Sequence, residues 1–141
     1  MVGGGHRNTA QDTFSLVSGG QWNRARGPYA TVSGGGWNTA TYSYTVVGGG
    51  ELNTARSPYS GISAGQYNTA NADWSAIGGG YSHQVTGLYG FIGGGQQNTI
   101  TVSANYSVIS GGSDNVAAAV GSTVSGGQTN VALAGSICWL M

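Results

Sequence analysis

Lysine is absent from this 141-residue chain, and charge of either sign is scarce. Four arginines (Arg7, Arg24, Arg26, Arg56) stand against four acids (Asp12, Glu51, Asp73, Asp114), where an ordinary soluble domain is about 25% charged. Four arginines cannot build the basic patch that a nucleic-acid binder needs, so nucleic acid is excluded as a partner. The one cysteine, Cys138, excludes an internal disulfide framework. Two prolines, with no glycine at every third position, exclude collagen. No apolar run approaches the ~20 residues of a membrane-spanning helix, and Met1–Gly5 has neither the basic segment nor the apolar stretch of a secretory signal. A net charge of zero with frequent Val, Ile, Trp and Tyr does not fit charge-driven disorder.

Catalytic chemistry is missing in the same way. A catalytic site needs converging acid, base or nucleophile groups. His6 and His83 lie five repeats apart, on the order of 24 Å at ~4.8 Å per rung, and neither reaches Cys138. The four acids fall in different columns of the repeat. The units lack the recurring Asp of calcium-binding glycine-rich repeats, and there is no phosphate-binding Gly-x-x-x-x-Gly-Lys loop. The expectation is a protein with no catalytic residues, no metal site and no cofactor.

What the chain has is glycine, 28 residues of it, and a repeat. Asparagine falls at Asn8, Asn23, Asn38, Asn53, Asn68, Asn98, Asn115 and Asn130, with His83 where the missing one would be. The step is 15 residues, except for 17 between Asn98 and Asn115. Glycine stands three positions before each of these residues. A β-branched residue stands six before: Val17, Val32, Val47, Ile62, Ile77, Ile92, Ile109 and Val124, preceded by Val2. An aromatic residue usually stands six after, from Phe14 to Tyr89, with Tyr106 keeping that role in the long repeat.

A unit this short cannot hold a helical pair, and runs of glycine oppose helix. Alternation fits strands. In Tyr29–Ser33, Ala30 and Val32 share one face and Tyr29 and Thr31 the other. In Trp37–Ala40, Asn38 and Ala40 point one way, Trp37 and Thr39 the other. Each repeat thus makes two short strands, turned by the glycine run and by a second turn between Ala40 and Tyr44 in which Pro28 and Pro58 have equivalents. The predicted fold is all-β: one domain over residues 1–141, a parallel β-solenoid or β-roll of about nine 15-residue repeats. Its core is the Val/Ile column, and an Asn column is hydrogen-bonded along the stack as in cross-β ladders.

The units resemble the head repeats of YadA-like trimeric autotransporter adhesins. Tyr44–Gly49 and Ser75-Ala76-Ile77-Gly78 match that family's Ser-Val-Ala-Ile-Gly element, and Asn-Thr-Ala matches its later Ser/Asn-x-Ala. The resemblance covers essentially the whole chain. It implies a left-handed parallel β-roll, three chains side by side, and an adhesive role.

Outward aromatics on so lightly charged a surface exceed what soluble monomers expose. The expectation is therefore a homo-oligomer, a side-by-side homotrimer, with Tyr29, Tyr44, Tyr59, Trp74, Tyr89 and Trp139 as interface candidates. Trp22, Trp37 and Tyr67 are candidates for a ligand platform, glycans being the partner class. The thread Thr9, Thr39, Thr54, Thr69 and Thr99 raises an ice-binding alternative, broken by Arg24, Gln84, Val116 and Val131. The apolar residues 137–141 suggest end-to-end stacking into a filament. The functional expectation is a structural or adhesive extracellular fibre module; the alternative is a receptor-binding adhesin head or phage tail-fibre segment at a cell or virion surface.

Overall fold

The computed structural model describes residues 1–133 and the backbone of residues 137–138. Among the described residues, eighteen strands of two residues each alternate between two parallel sheets, from β1 (Thr9–Ala10) and β2 (Leu16–Val17) to β17 (Val131–Ala132) and β18 (Ile137–Cys138). Odd-numbered strands form one nine-stranded sheet and even-numbered strands the other, each strand pairing with its equivalent one repeat away. Thr39 lies opposite Thr54 and Ala40 opposite Ala55; Thr31 lies opposite Val46 and Val32 opposite Val47. The result is a parallel β-solenoid of about eight turns with a spacing of about 15 residues. Among the described residues there is no helix, hence none long and apolar enough to cross a membrane.

The core lies between the two sheets. Val17, Val32, Val47, Ile62, Ile77, Ile92, Ile109 and Val124, all from the even-numbered strands, are at most 1% exposed. They pack against Ala25, Ala40, Ala55, Ala70, Val85, Ile100, Ala117 and Ala132 from the odd-numbered strands. Two residues per strand suffice because their only task is to set one apolar side chain inward and pass their amides to the next rung.

Both turns need left-handed backbone. The glycine three positions before each Asn-column residue, Gly35 for example at φ +82°, is confined to glycine twice over: by that φ, and because a Cβ there would collide with the carbonyl oxygen of Gly50 on the next rung. At the second turn Ala30 N–H donates to Gly27 O at 3.1 Å and Ser60 N–H to Ser57 O at 3.1 Å. Pro28 and Pro58 sit at the second position and Tyr29 and Tyr59 at the third, with φ of 58° and 59°. That is the arrangement of a type II turn, whose third position ordinarily falls to Gly or Asn. Here it falls to Phe14, Tyr29, Tyr44, Tyr59, Trp74, Tyr89 and Tyr106. The alternation of Tyr29–Ser33 places Tyr29 on the outer face of a strand; instead Tyr29 belongs to the turn, and the strand is only Thr31–Val32. Sequence alternation cannot separate a strand residue from a left-handed turn residue when both point outward.

Candidate functional site

The Asn column is an internal clamp. Asn38 is fully buried. Its Oδ1 accepts the N–H of Asn53 at 3.0 Å, and its Nδ2 donates to Gly34 O and Gly50 O, both at 2.9 Å. Asn23, Asn53, Asn98 and Asn115 repeat this set. At the exposed first rung, Asn8 binds Gly4 O, Gly20 O and Asn23 N–H in the same way. Asn68 adds a side-chain bond to Asn53 Oδ1 at 3.0 Å, and Asn130 one to Asn115 Oδ1 at 3.0 Å. The column is thus chiefly side chain to backbone, closing the corner where the glycine turn meets the strand, rather than the amide-to-amide ladder of cross-β stacks.

His83 occupies the same column, 1% exposed. Its N–H donates to Asn68 Oδ1 at 3.0 Å and its Nδ1 accepts Asn98 N–H at 3.1 Å, so the ring proton resides on Nε2. Nε2 is buried and makes no hydrogen bond. Burial holds the imidazole below its ordinary pKa; the backbone of Gly95 opposes that only in part.

The aromatic residues of the second turn form a continuous stack. Ring centroids are 5.1 Å apart for Phe14–Tyr29, 4.8 Å for Tyr29–Tyr44, 5.1 Å for Tyr44–Tyr59, 5.2 Å for Tyr59–Trp74, 5.1 Å for Trp74–Tyr89 and 4.9 Å for Tyr89–Tyr106. Beyond Phe14 the rings lie within 8° of parallel. Each interior ring spends its faces on its neighbours, and its edges remain in water: Tyr44 is 46% exposed. The left-handed backbone costs about 1–2 kcal/mol per non-glycine residue, and a stacked aromatic pair returns about 0.5–1.5 kcal/mol. The stack therefore stabilises the turns that create it. It stops where Gly121, at φ +67°, takes the next position. Tyr106 is accordingly 63% exposed, against 43% for Tyr89.

The second aromatic column is interrupted. Trp22 and Trp37 stack at 4.7 Å, with the Arg7 guanidinium 4.4 Å from the Trp22 ring centre. Leu52 follows Trp37 in the column, and Tyr67 meets Tyr81 edge-on at 5.7 Å. Trp22, Trp37 and Tyr67 therefore do not form one platform. Beside Trp37, Gly36 interrupts the side chains of Gln21 and Glu51 and leaves an open groove. Among the interface candidates, Tyr29, Tyr44, Tyr59, Trp74 and Tyr89 are all in the main stack; Trp139 lies outside the described residues. Thr39, Thr54 and Thr69 stand in register on adjacent rungs. No group of three potential metal-ligating side chains occurs among the described residues.

The outer face of the even-numbered sheet is a feature that column-by-column reading overlooks. Between residues 29 and 125, the turn-and-strand segments on this side (29–33, 44–48, 59–63, 74–78, 89–93, 106–110, 121–125) contain none of the eight charged residues. Arg24, Arg26 and Arg56 instead flank a polar recess on the opposite sheet. Mapping charge onto the repeat would have revealed this face from sequence. No known family model matches the chain, and no curated protein matches it either.

Proposed function

We propose that this protein is a structural module that associates with itself to build an adhesive or fibrous assembly at a cell or virion surface. The observation that carries the reading is the outward aromatic stack from Phe14 to Tyr106, set on a surface with only eight charged residues. Apolar surface of this extent on a rigid scaffold is characteristic of interaction faces. Side-by-side packing, as in the trimeric YadA-like heads that the repeats resemble, removes such a surface from water. Sedimentation velocity with electron microscopy at micromolar concentration tests this. Assemblies of two or three times the 14.1 kDa chain mass, or filaments, are expected. A monomer at every concentration overturns the reading.

A second reading, glycan binding, draws on the groove beside Trp37, where Gln21 and Glu51 offer hydrogen-bonding groups next to a half-exposed indole. Binding to a glycan array that Trp37→Ala abolishes would favour it; no binding at millimolar saccharide would remove it.

A further inference from the structure

The charge-free face of the even-numbered sheet carries an outward column that is nearly palindromic about Ala76. Going one way from Ala76 the column reads Gly61, Val46, Thr31; going the other way it reads Phe91, Val108, Thr123. Val46 and Phe91 stand out from the sheet, 45% and 42% exposed, and Gly61 and Ala76 leave a notch between them. The neighbouring column (Ser33, Gly48, Ser63, Gly78, Gly93, Ser110, Ser125) contains nothing larger than serine, so a second backbone can approach closely.

We propose that this face docks against the same face of a second copy with the two solenoids antiparallel, about a two-fold axis at Ala76. This rests on the self-association reading above and specifies its surface and geometry. In this register each Phe91 ring enters the other copy's Gly61 notch. Val46 meets Val108, Thr31 meets Thr123, and Ala76 meets Ala76. That is an isologous contact, in which one patch serves both partners. A parallel arrangement, two-fold or three-fold, sets equal rungs at equal heights: Phe91 opposes Phe91, and both notches stay empty. The absence of charge on the face removes like-charge repulsion between identical surfaces. Seven rungs span about 34 Å at ~4.8 Å each, and the face is about 13 Å wide. An area on the order of 450 Å² per copy is at the small end of specific interfaces, so the pair is expected at micromolar rather than nanomolar concentration.

The test uses the full chain in a Cys138→Ser background. Sedimentation from ~1 to ~100 μM should show a monomer–dimer equilibrium. Gly61→Lys, at a position where a Cβ meets no atom closer than 4.0 Å, should leave the circular dichroism unchanged and weaken the dimer at least ~10-fold. Phe91→Ala should weaken it as well. Mixing Gly61→Cys with Phe91→Cys protein and adding a short bifunctional thiol reagent should give a cross-linked heterodimer, and neither variant alone should cross-link. Cross-linking of each variant alone, without preference in the mixture, means parallel packing and overturns the proposal. Self-association unaffected by Gly61→Lys and Phe91→Ala places the contact on another face: this inference then fails while the self-assembly reading stands. A chain that stays monomeric at ~100 μM overturns both.

Discussion

Two stretches of the solenoid solve the same packing problem differently. From Val17 to Ala55 the core is uniform: Val17, Val32 and Val47 each face an alanine, Ala25, Ala40 and Ala55. From Ile62 onward the same columns carry Ile62, Ile77, Ile92 and Ile109, and the facing positions enlarge to Val85 and Ile100. A third inward column absorbs the change. It holds Ser15, Ala30, Thr45, Ser60 and Ser75, then Gly90, where a Cβ would lie 2.6 Å from Val85 Cγ1 and 3.3 Å from Ile100 Cδ1. The irregular stretch also contains His83 in the Asn column and the 17-residue repeat. Interior volume is therefore balanced across a rung and its neighbours, not at each position, as expected for close-packed interiors.

The sharpest way to break this comparison is at the clamp. Asn53→Leu would leave Gly49 O and the buried Asn68 N–H without partners and would leave Gly65 O with only the Glu51 N–H, a loss of about 3–5 kcal/mol by urea unfolding. The packing trade is tested next. Gly90→Ala should cost about 1–3 kcal/mol in the parent, and much less when combined with Val85→Ala. A double-mutant cycle without coupling would mean that Gly90 is not there to make room.

His83→Asn should make the irregular stretch resemble the regular one. It removes the unpartnered Nε2 and restores two donors to glycine carbonyls, a gain of about 1–2 kcal/mol. The same pair of proteins gives a pH signature. The folded-state pKa of His83 lies below its ordinary value of 6.5, so the unfolded chain binds the proton first as pH falls. Stability is complete above pH 6.5 and declines below it until the folded-state pKa is passed. Protonation also turns Nδ1 into a donor facing Asn98 N–H. Unfolding midpoints at pH 7.5 and pH 5 should diverge for the parent, and this contribution should be absent from His83→Asn.

The smallest effect concerns the end of the aromatic stack. Gly121→Tyr adds one stacking partner for Tyr106 and one strained backbone position, a net of a few tenths of a kcal/mol. Gly121→Ala adds the strain alone. In thermal unfolding the tyrosine variant should therefore be more stable than the alanine variant.

Much of the architecture is legible in the sequence because parallel stacking repeats the same environment. Val32, Val47 and Ile62 share a position in the repeat and share a column in space, so one alignment yields register, sheet order and core together. The Asn column is legible as a structural element, but its partners are not, since nothing in the spacing of Gly34, Asn38 and Gly50 tells which amide meets which carbonyl. The conformation of Tyr29 and Trp37 is hidden for a different reason. Left-handed backbone is ordinarily a glycine or asparagine signature, yet here stacked rings and unstacked residues such as Leu52 and Tyr67 adopt it alike. The notch at Gly61 depends on Val46 and Phe91, which lie 15 and 30 residues away, and is invisible to any local reading.

The clamp at Asn38 reaches in one direction. Apart from its bond to Gly34 in its own repeat, both contacts of its amide group, to Asn53 N–H and Gly50 O, fall on the rung that follows in the chain. The preceding rung is held by Asn23 in the same manner. A completed turn thus presents a preset donor and acceptor to residues synthesised after it. On a ribosome the chain emerges in that order, so every rung but the first has a template waiting, and assembly can proceed by accretion from the amino-terminal end.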